Sequence, residues 1–325
     1  MPGTARRRYV LRAASVVVTA LVLVFVAGVL RRDGPAALEA WRAARVRWAW
    51  VGVATACGFI GPATSVVGWR RLLGDLGLPV RFGWVLRLFL LSNLGRYLPA
   101  GKAWQLGIVT VMSTERGLPA ALVVGTSFLH ALFGAVVGFI LLSTLGGALF
   151  PGAGPLLALG LAGLAGLLAL PTALRRFPSL RARLVKRIAG IDTVDTATMW
   201  TVTWTAAVAW SAWGAALYAL AQALLPTPVA PLGIYIAAWI GSIFAGLLAV
   251  FTPLGLGVRE GAMQATLVAA GLEPSGALLL VIVVRVFATI LELVPAGILI
   301  VAEQFAAREP ALQLAVSHTG TEAQG

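Results

Sequence analysis

Charged residues stand inside otherwise apolar sequence at two places, and at both places the sequence breaks helical geometry. Arg96 and Lys102 flank "LPAG", and Arg259 and Glu260 follow "PLGLG". Arginine offers a planar fork suited to phosphate oxygens, whereas lysine supplies a point charge. Because a charge inside a bilayer costs at least a few kcal/mol, such residues mark functional sites by default. The pattern predicts binding of an anionic, phosphate-bearing group, on which Trp104 could stack.

Both charged segments coincide with proline–glycine breaks. Proline removes a backbone donor and clashes with the preceding turn, and glycine lets the chain leave helical geometry. Within a bilayer, the freed backbone groups are tolerated only where protein or a wet cavity surrounds them. The half-helix after each break would point N–H groups, with their partial positive charge, into such a cavity. The residues that make the breaks are Pro99, Gly101, Pro253, Gly255 and Gly257.

The last apolar run, 276–302, carries two further charges, Arg285 and Glu292. A spacing of seven residues places them on one face of a helix but about 10 Å apart along its axis. We therefore expect each to pair with another group, such as Glu260 with Arg285, rather than with each other.

Structural roles compete with a binding role for these cations. Arg259 could form an ion pair with Glu260 or Glu292 that only locks the broken segment. Arg96 and Lys102 could extend to the cytoplasmic headgroups while their stems stay in the apolar layer. The sequence alone leaves both alternatives open.

The rest of the chain is too apolar for a water-soluble domain. Of its 325 residues, 59% are hydrophobic and 11% are charged, and the mean hydropathy is +0.92. Soluble domains carry about 25% charged residues. We predict an all-α, polytopic integral membrane protein with six full spans. The spans are predicted at about 13–30, 48–69, 118–146, 155–172, 198–224 and 276–302.

Two stretches, 83–112 and 231–270, are predicted to be re-entrant, broken-helix hairpins. A shift of 154 positions aligns their breaks, with five identities in twenty positions, and one more residue of shift places His130 on Arg285. His130 is more typical of an interhelical hydrogen bond than of a proton relay. Three full spans lie between the hairpins, so the second would enter from the opposite face, which gives an inverted-topology repeat. If 231–251 simply crosses, the repeat is parallel instead.

Basic residues predict the orientation. The loop 175–187 is rich in arginine and has no acid, which places it and both termini in the cytoplasm. We divide the chain into a basic amino terminus (1–12), one transmembrane domain (13–303) and a disordered polar tail (304–325). The net charge of +13 reports this topology and attraction to anionic lipid. The arginine-rich, alanine-rich composition favours a bacterial inner (cell) membrane.

The sequence lacks the signatures of most catalytic and cofactor sites. Two histidines and one cysteine give no metal-binding set, and no Walker loop, nucleophile elbow or zinc-protease motif is present. "GLGVREG" follows no soluble strand, which argues against a dinucleotide site. No soluble basic domain is recognised that could read nucleic acid. We therefore predict no cofactor, no metal, no nucleic-acid partner and no enzymatic activity.

Two segments carry a family resemblance. One is "YLPAGKAW", of the type Tyr-x-Pro-Gly-Lys/Arg-x-Trp, with Ala100 between the proline and the glycine. The other is "PLGLGVREG", followed by Gly271, Leu272 and the intramembrane Arg285. With these, the chain resembles, over about 10–303, the flippase-like transmembrane domain of bacterial lysylphosphatidylglycerol synthase/flippase proteins.

The resemblance implies handling of an anionic or amphiphilic lipid, including its movement between leaflets. Larger members of the family also carry a cytoplasmic aminoacyl-transferase domain. No such domain is recognised in these 325 residues, which argues against lysyl-lipid synthesis and leaves the transport half.

The residues and the resemblance together predict a flippase or transporter for a phospholipid or polyprenyl-phosphate lipid. Its headgroup would enter between the hairpins and contact Lys102, Arg259 and the half-helix amino ends. Glu260 and Glu292 would organise the arginines or carry a coupling proton. Two alternatives stay open: an intramembrane transferase for a polyprenyl-phosphate lipid, with Glu260 or Glu292 as base, and an accessory subunit of an envelope-lipid enzyme.

Overall fold

The long apolar runs of the sequence form helices, because a backbone in lipid must satisfy its hydrogen bonds within its own segment. The computed structural model describes residues 44–97, 101–149, 153–179, 193–226, 230–248 and 257–321, with six positions between 31 and 42. The side chains of 101, 102 and 303–321 are not part of that description. The helices are α1 (Trp48–Asp75), α2 (Phe82–Leu94), α3 (Gly101–Thr114), α4 (Ala120–Leu145), α5 (Ala153–Arg176), α6 (Thr196–Leu224), α7 (Leu232–Leu248), α8 (Val258–Ala269) and α9 (Pro274–Thr321).

Five of these helices are long and apolar enough to cross a membrane. They are α1, α4, α5, α6 and the Pro274–Ala302 part of α9. These five match five of the six predicted spans, and the chain is an all-α, polytopic membrane protein. The first predicted span, 13–30, lies outside the described residues. The helix α9 extends to Thr321, into the segment predicted as a polar tail.

The centre of the bundle is an antiparallel pair, α1 and α6. At one end, the Arg47 N–H donates to the Ala223 carbonyl over 3.0 Å. At the other, the Asp195 N–H donates to Asp75 Oδ2, also over 3.0 Å. Between them, a β-carbon at Gly61 would lie 2.7 Å from the Trp213 ring. Small residues of this kind let transmembrane helices approach closely.

The first broken unit consists of α2, a short 3-10 turn (Gly95–Tyr97) and α3. Its helices have 13 and 14 residues and pack against each other. Each is about 20 Å long, too short to cross a bilayer alone. The segments just before and just after this unit both contact the carboxyl-terminal end of α1. Before α2, Arg70 Nε donates to the Val80 carbonyl (3.0 Å), and early in α4, the hydroxyl of Thr126 accepts from Trp69 Nε1 (3.0 Å).

The second broken unit consists of α7 and α8, which also pack against each other. It begins and ends at the opposite end of the bundle. Gly233, at the start of α7, approaches Leu145 at the end of α4, and Gly276, at the start of α9, approaches Leu225 after α6. These are the contacts expected of two hairpins that open at opposite ends. Their entry and exit through one face of a membrane stays a prediction, since nothing in the structure marks the bilayer.

The predicted internal repeat has structural counterparts. The turns before α4 and α9 contain Gly117 and Gly271, with φ of 68° and 96°. In each turn the residue after the glycine donates its N–H to the carbonyl five residues earlier. These hydrogen bonds are Leu118 to Ser113 (2.9 Å) and Leu272 to Leu267 (3.1 Å). The helices that precede the two broken units, α1 and α6, run antiparallel, as the predicted inverted-topology repeat requires.

Candidate functional site

The charged residues singled out in the sequence meet at α9, which packs against both broken units. Arg285 and Glu292 lie on α9, Arg96 follows α2, and Arg259 and Glu260 begin α8. In the part of the chain that the structure describes, Glu292 forms an ion pair with Arg96, and Glu260 lies 3.6 Å from Arg285 Nε. The predicted pairing of Glu260 with Arg285 is thus observed. We call these five residues the charged cluster.

Glu292 receives two contacts from the first broken unit. One carboxylate oxygen pairs with the Arg96 guanidinium. The other accepts a hydrogen bond from the Tyr97 hydroxyl over 2.7 Å. Sequence reasoning did not select Tyr97, although it is the tyrosine of the "YLPAGKAW" segment. Its contact joins positions 195 residues apart, which no local pattern predicts.

Glu260 caps the amino end of α8. Gly257 has φ of 82°, a conformation that favours glycine, and its N–H donates to Glu260 Oε2 over 2.7 Å. A glutamate three residues into a helix commonly reaches back in this way. We expected the N–H groups of this half-helix to face an incoming anion, but the group at Gly257 is already bound to an internal carboxylate.

Arg259 lies against a pair of stacked indoles. Its guanidinium carbon is 4.7 Å from the centroid of the Trp239 ring, within the range of a cation–π interaction. Trp239 in turn stacks on Trp213, with centroids 4.8 Å apart and planes 5° from parallel. Among the described residues, neither carboxylate of the charged cluster lies within ion-pair distance of Arg259. The alternative in which Arg259 only locks the broken segment through an ion pair with Glu260 or Glu292 is therefore not observed among these residues.

Tight packing positions the turn that carries Arg96. A β-carbon at Gly95 would lie 2.7 Å from the backbone nitrogen of Gln105, so only glycine fits against α3. Next to it, the Gln105 amide donates to Asn93 Oδ1 over 3.1 Å. Trp104 is 52% exposed and does not close over the charged cluster.

Several predicted site residues lie outside the described part of the chain. They are the side chain of Lys102 and three residues of the breaks, Pro99, Pro253 and Gly255. Gly101 is described as the first residue of α3. No role is assigned to any of these residues from the structure.

His130, the repeat equivalent of Arg285, does not join the charged cluster. It lies on α4 next to Gly68 of α1, and its buried Nε2 has no hydrogen-bond partner in the described part of the chain. The interhelical hydrogen bond that the sequence favoured for His130 therefore stays a prediction.

A family comparison decides what class of protein contains this arrangement. The family described as "Lysylphosphatidylglycerol synthase TM region" matches residues 12–296. The chain belongs to this family. The match covers both broken units and all five residues of the charged cluster, and it indicates a membrane function related to lipids. No curated protein matches the chain significantly.

In this member of the lysylphosphatidylglycerol synthase TM-region family, the charged cluster has an excess of cations. Three arginines share two glutamates, which leaves one positive charge in excess. The paired side chains remain partly reachable, with exposed fractions of 33% for Arg96 and 24% for Arg285. In the described ranges, no group of three or more His, Cys, Asp or Glu could hold a metal ion. The arrangement favours a small anionic group as ligand.

Proposed function

We propose that this protein moves a lipid with an anionic, phosphate-bearing headgroup between the two leaflets of a cell membrane. The observation that carries the proposal is the charged cluster itself, which has more arginine than glutamate and lies between two broken helical units. Membrane interiors disfavour such charges strongly, so a cationic excess there calls for an anionic ligand. The family's lipid-related function supports the same choice.

In this proposal, the headgroup phosphate contacts the three arginines of the charged cluster, Arg259, Arg285 and Arg96, while the acyl or prenyl chains stay in lipid. Arg259 is suited to first contact, because its guanidinium is held against Trp239 and is not taken up by either glutamate of the charged cluster. Lys102 would add a second cation from the first broken unit. The broken units start at opposite ends of the bundle, so each would open the site toward one leaflet in turn.

The test is a flip assay in proteoliposomes of phosphatidylcholine that contain a trace of acyl-labelled fluorescent phosphatidylglycerol. A membrane-impermeant reductant bleaches only the outer leaflet, so flipping raises the bleached fraction above one half. The Arg259→Ala variant should lose this extra bleaching. Arg116→Ala is the matched control, because Arg116 also lies over a tryptophan ring (Trp84, 5.6 Å) but stands outside the charged cluster.

The proposal fails if the wild-type protein gives no more bleaching than empty vesicles. The role of Arg259 fails if Arg259→Ala flips the label as fast as Arg116→Ala does. Native mass spectrometry of the same proteins adds an independent measurement. A phosphate-bearing lipid retained by the wild type and lost from Arg259→Ala would name the natural ligand.

The transferase and accessory-subunit hypotheses remain alternatives to transport. A general base needs a carboxylate free to take a proton from the nucleophile. Glu260 is bound to Gly257 and Arg285, and Glu292 to Arg96 and Tyr97. A donor-dependent change in the mass of an added polyprenyl-phosphate would favour a transferase over a transporter.

A further inference from the structure

The two glutamates of the charged cluster are held in different ways. Glu260 is tied to its own helix through the Gly257 N–H, so it moves with α8. Glu292 lies in the middle of α9, and both of its contacts in the described structure come from the first broken unit, through Arg96 and Tyr97. Glu260 also lies 3.6 Å from Arg285 on α9, but it keeps the Gly257 N–H as a partner within its own helix. Glu292 has no partner on its own helix among the described contacts, so a headgroup that takes up Arg96 leaves it with Tyr97 alone.

The equivalent contact in the other half is apolar. There, α7 of the second broken unit packs on α4, as α2 packs on α9. Phe244 of α7 stacks on Phe139 of α4 with ring centroids 4.5 Å apart. The centroid of the Trp210 ring lies 6.0 Å from that of Phe244. Among the described residues, this contact contains no ion pair that an anionic ligand could break. Of the two equivalent contacts, the one that contains Glu292 is the one an anionic ligand can open.

We propose that Glu292 is a displaceable counter-ion that takes up one proton when an anionic headgroup binds Arg96. This inference rests on the proposed function and adds to it a coupling ion. A phosphate that pairs with Arg96 removes one of the two partners of Glu292 and draws the turn with Tyr97 away. A carboxylate left unpaired in an apolar interior is strongly disfavoured, and it becomes neutral by binding a proton from water.

The charged and titratable groups around Glu292 come from α9 itself and from the elements that pack against it. Arg96 and Tyr97 face it from the first broken unit, and α2 of that unit, which packs on α9, also carries Arg87. Arg259 acts on it from α8, and Arg285 lies two turns earlier on α9. The helices α1 and α6 also pack against α9. The charged residues of α1 lie in its last two turns, and α6 has none. The charged cluster has one positive charge in excess, so a bound phosphate alone would bring it to neutral. The proton on Glu292 therefore follows from the loss of its Arg96 partner, and not from the overall charge.

The experiment measures proton uptake when a defined lipid binds. Purified protein in maltoside detergent is titrated with dihexanoyl-phosphatidylglycerol by calorimetry at pH 7, in two phosphate-free buffers of different ionisation enthalpy. The difference in heat gives the protons bound per lipid. We expect about one for the wild type, with affinity rising about tenfold for each unit by which the pH falls. Dihexanoyl-phosphatidylcholine, which has no net charge, is the lipid control.

Glu292→Gln mimics the protonated carboxyl and should bind the lipid without proton uptake, at least about tenfold more tightly than the wild type at pH 7. Glu115→Gln removes an exposed carboxylate at the far end of α3 and should keep the wild-type uptake. Glu260→Gln removes the same charge from the charged cluster and should change affinity while keeping proton uptake. If Glu292 is the proton site, Glu260→Gln keeps the proton uptake and Glu292→Gln loses it. If any loss of negative charge from the charged cluster has the same effect, both variants lose it.

Phosphatidylglycerol that binds to the wild type without proton uptake would overturn this inference and leave the proposed function standing. Uptake by Glu292→Gln equal to that of the wild type would overturn it as well. Failure of the wild type to bind phosphatidylglycerol would count against the proposed function and the inference together. The wild-type measurement decides between the first and the last of these results even if Glu292→Gln does not fold.

Discussion

Gly95 should be the position at which one added methyl group harms the charged cluster most. A β-carbon there would lie 2.7 Å from the Gln105 nitrogen, 2.9 Å from the Trp104 carbonyl carbon and 3.2 Å from the Gln105 α-carbon. All three are backbone atoms, so no side chain can rotate to make room. The turn must instead move away from α3 by several tenths of an ångström, and it carries Arg96 with it.

Two opposing effects determine how much Gly95→Ala changes the free energy of unfolding. The φ of Gly95 is −56°, so alanine is not strained there and reduces the entropy of the unfolded chain, a gain of up to about 1 kcal/mol. Forcing a methyl group into a well-packed interior costs about 1–3 kcal/mol. Because the added methyl group would lie less than 3 Å from backbone atoms, we expect the cost at Gly95 to be near the upper end of this range. We expect a net loss of about 1–2 kcal/mol for Gly95→Ala.

The assay is reversible unfolding in mixed micelles, followed by circular dichroism, together with the flip assay. Gly107→Ala is the control. Gly107 lies on α3, the helix that Gly95 approaches, and a β-carbon at Gly107 would have nothing within 4 Å. It should be neutral or slightly stabilising, since alanine is the better helix former. Equal stability of Gly95→Ala and Gly107→Ala would refute the close approach of the turn to α3. A stable Gly95→Ala that flips normally would show that the position of Arg96 is not critical.

Three further predictions concern other parts of the molecule. Trp239→Leu should weaken phosphatidylglycerol binding by about 2–30-fold, the equivalent of a 0.5–2 kcal/mol cation–π contact, whereas Trp239→Phe should keep most of the affinity, as calorimetry would measure. Gly271→Ala should destabilise the protein by about 1–2 kcal/mol in micelle unfolding, because φ there is 96°, whereas Gly74→Ala, with nothing within 4 Å, should not. The N–H of Thr198 lowers the pKa of Asp195, so this carboxylate stabilises the fold fully above its ordinary pKa of about 3.8, and the benefit is lost as the pH falls through the lower folded value. The melting temperature should therefore fall more steeply below pH 4 for the wild type than for Asp195→Asn.

Composition alone predicts most of the fold. Long uncharged runs specify membrane-crossing helices, because a backbone in lipid has few alternatives. The repeat was recognisable because turn glycines such as Gly117 and Gly271 need positive φ, which constrains residue type. The cap on α8 could also have been predicted, since Glu260 stands three residues after Gly257 in the pattern of a capping box.

Partners across the bundle were predictable only in part. Glu260 with Arg285 was expected because each needs an opposite charge and few are available. Tyr97 and Trp239 were missed because their roles depend on which helix faces which. A tryptophan on an apolar helix is usually packing, and only the crossing of α7 with α8 brings Trp239 under Arg259. Tertiary contacts of this kind leave no local spacing to detect.

The antiparallel pairing of α1 with α6 also bears on how such a chain could arise. Equivalent helices that face each other head to tail are what two separate half-length chains would form as a dimer, with one copy inserted upside down. Fusion of two such genes requires one additional crossing between the copies, and α5 provides it. Among the described helices, α5 packs mainly against α4 and α6. Among the described helices, the most extensive contact would then correspond to the interface of such a dimer, and Gly61 lies in it, where Trp213 leaves no room for a β-carbon.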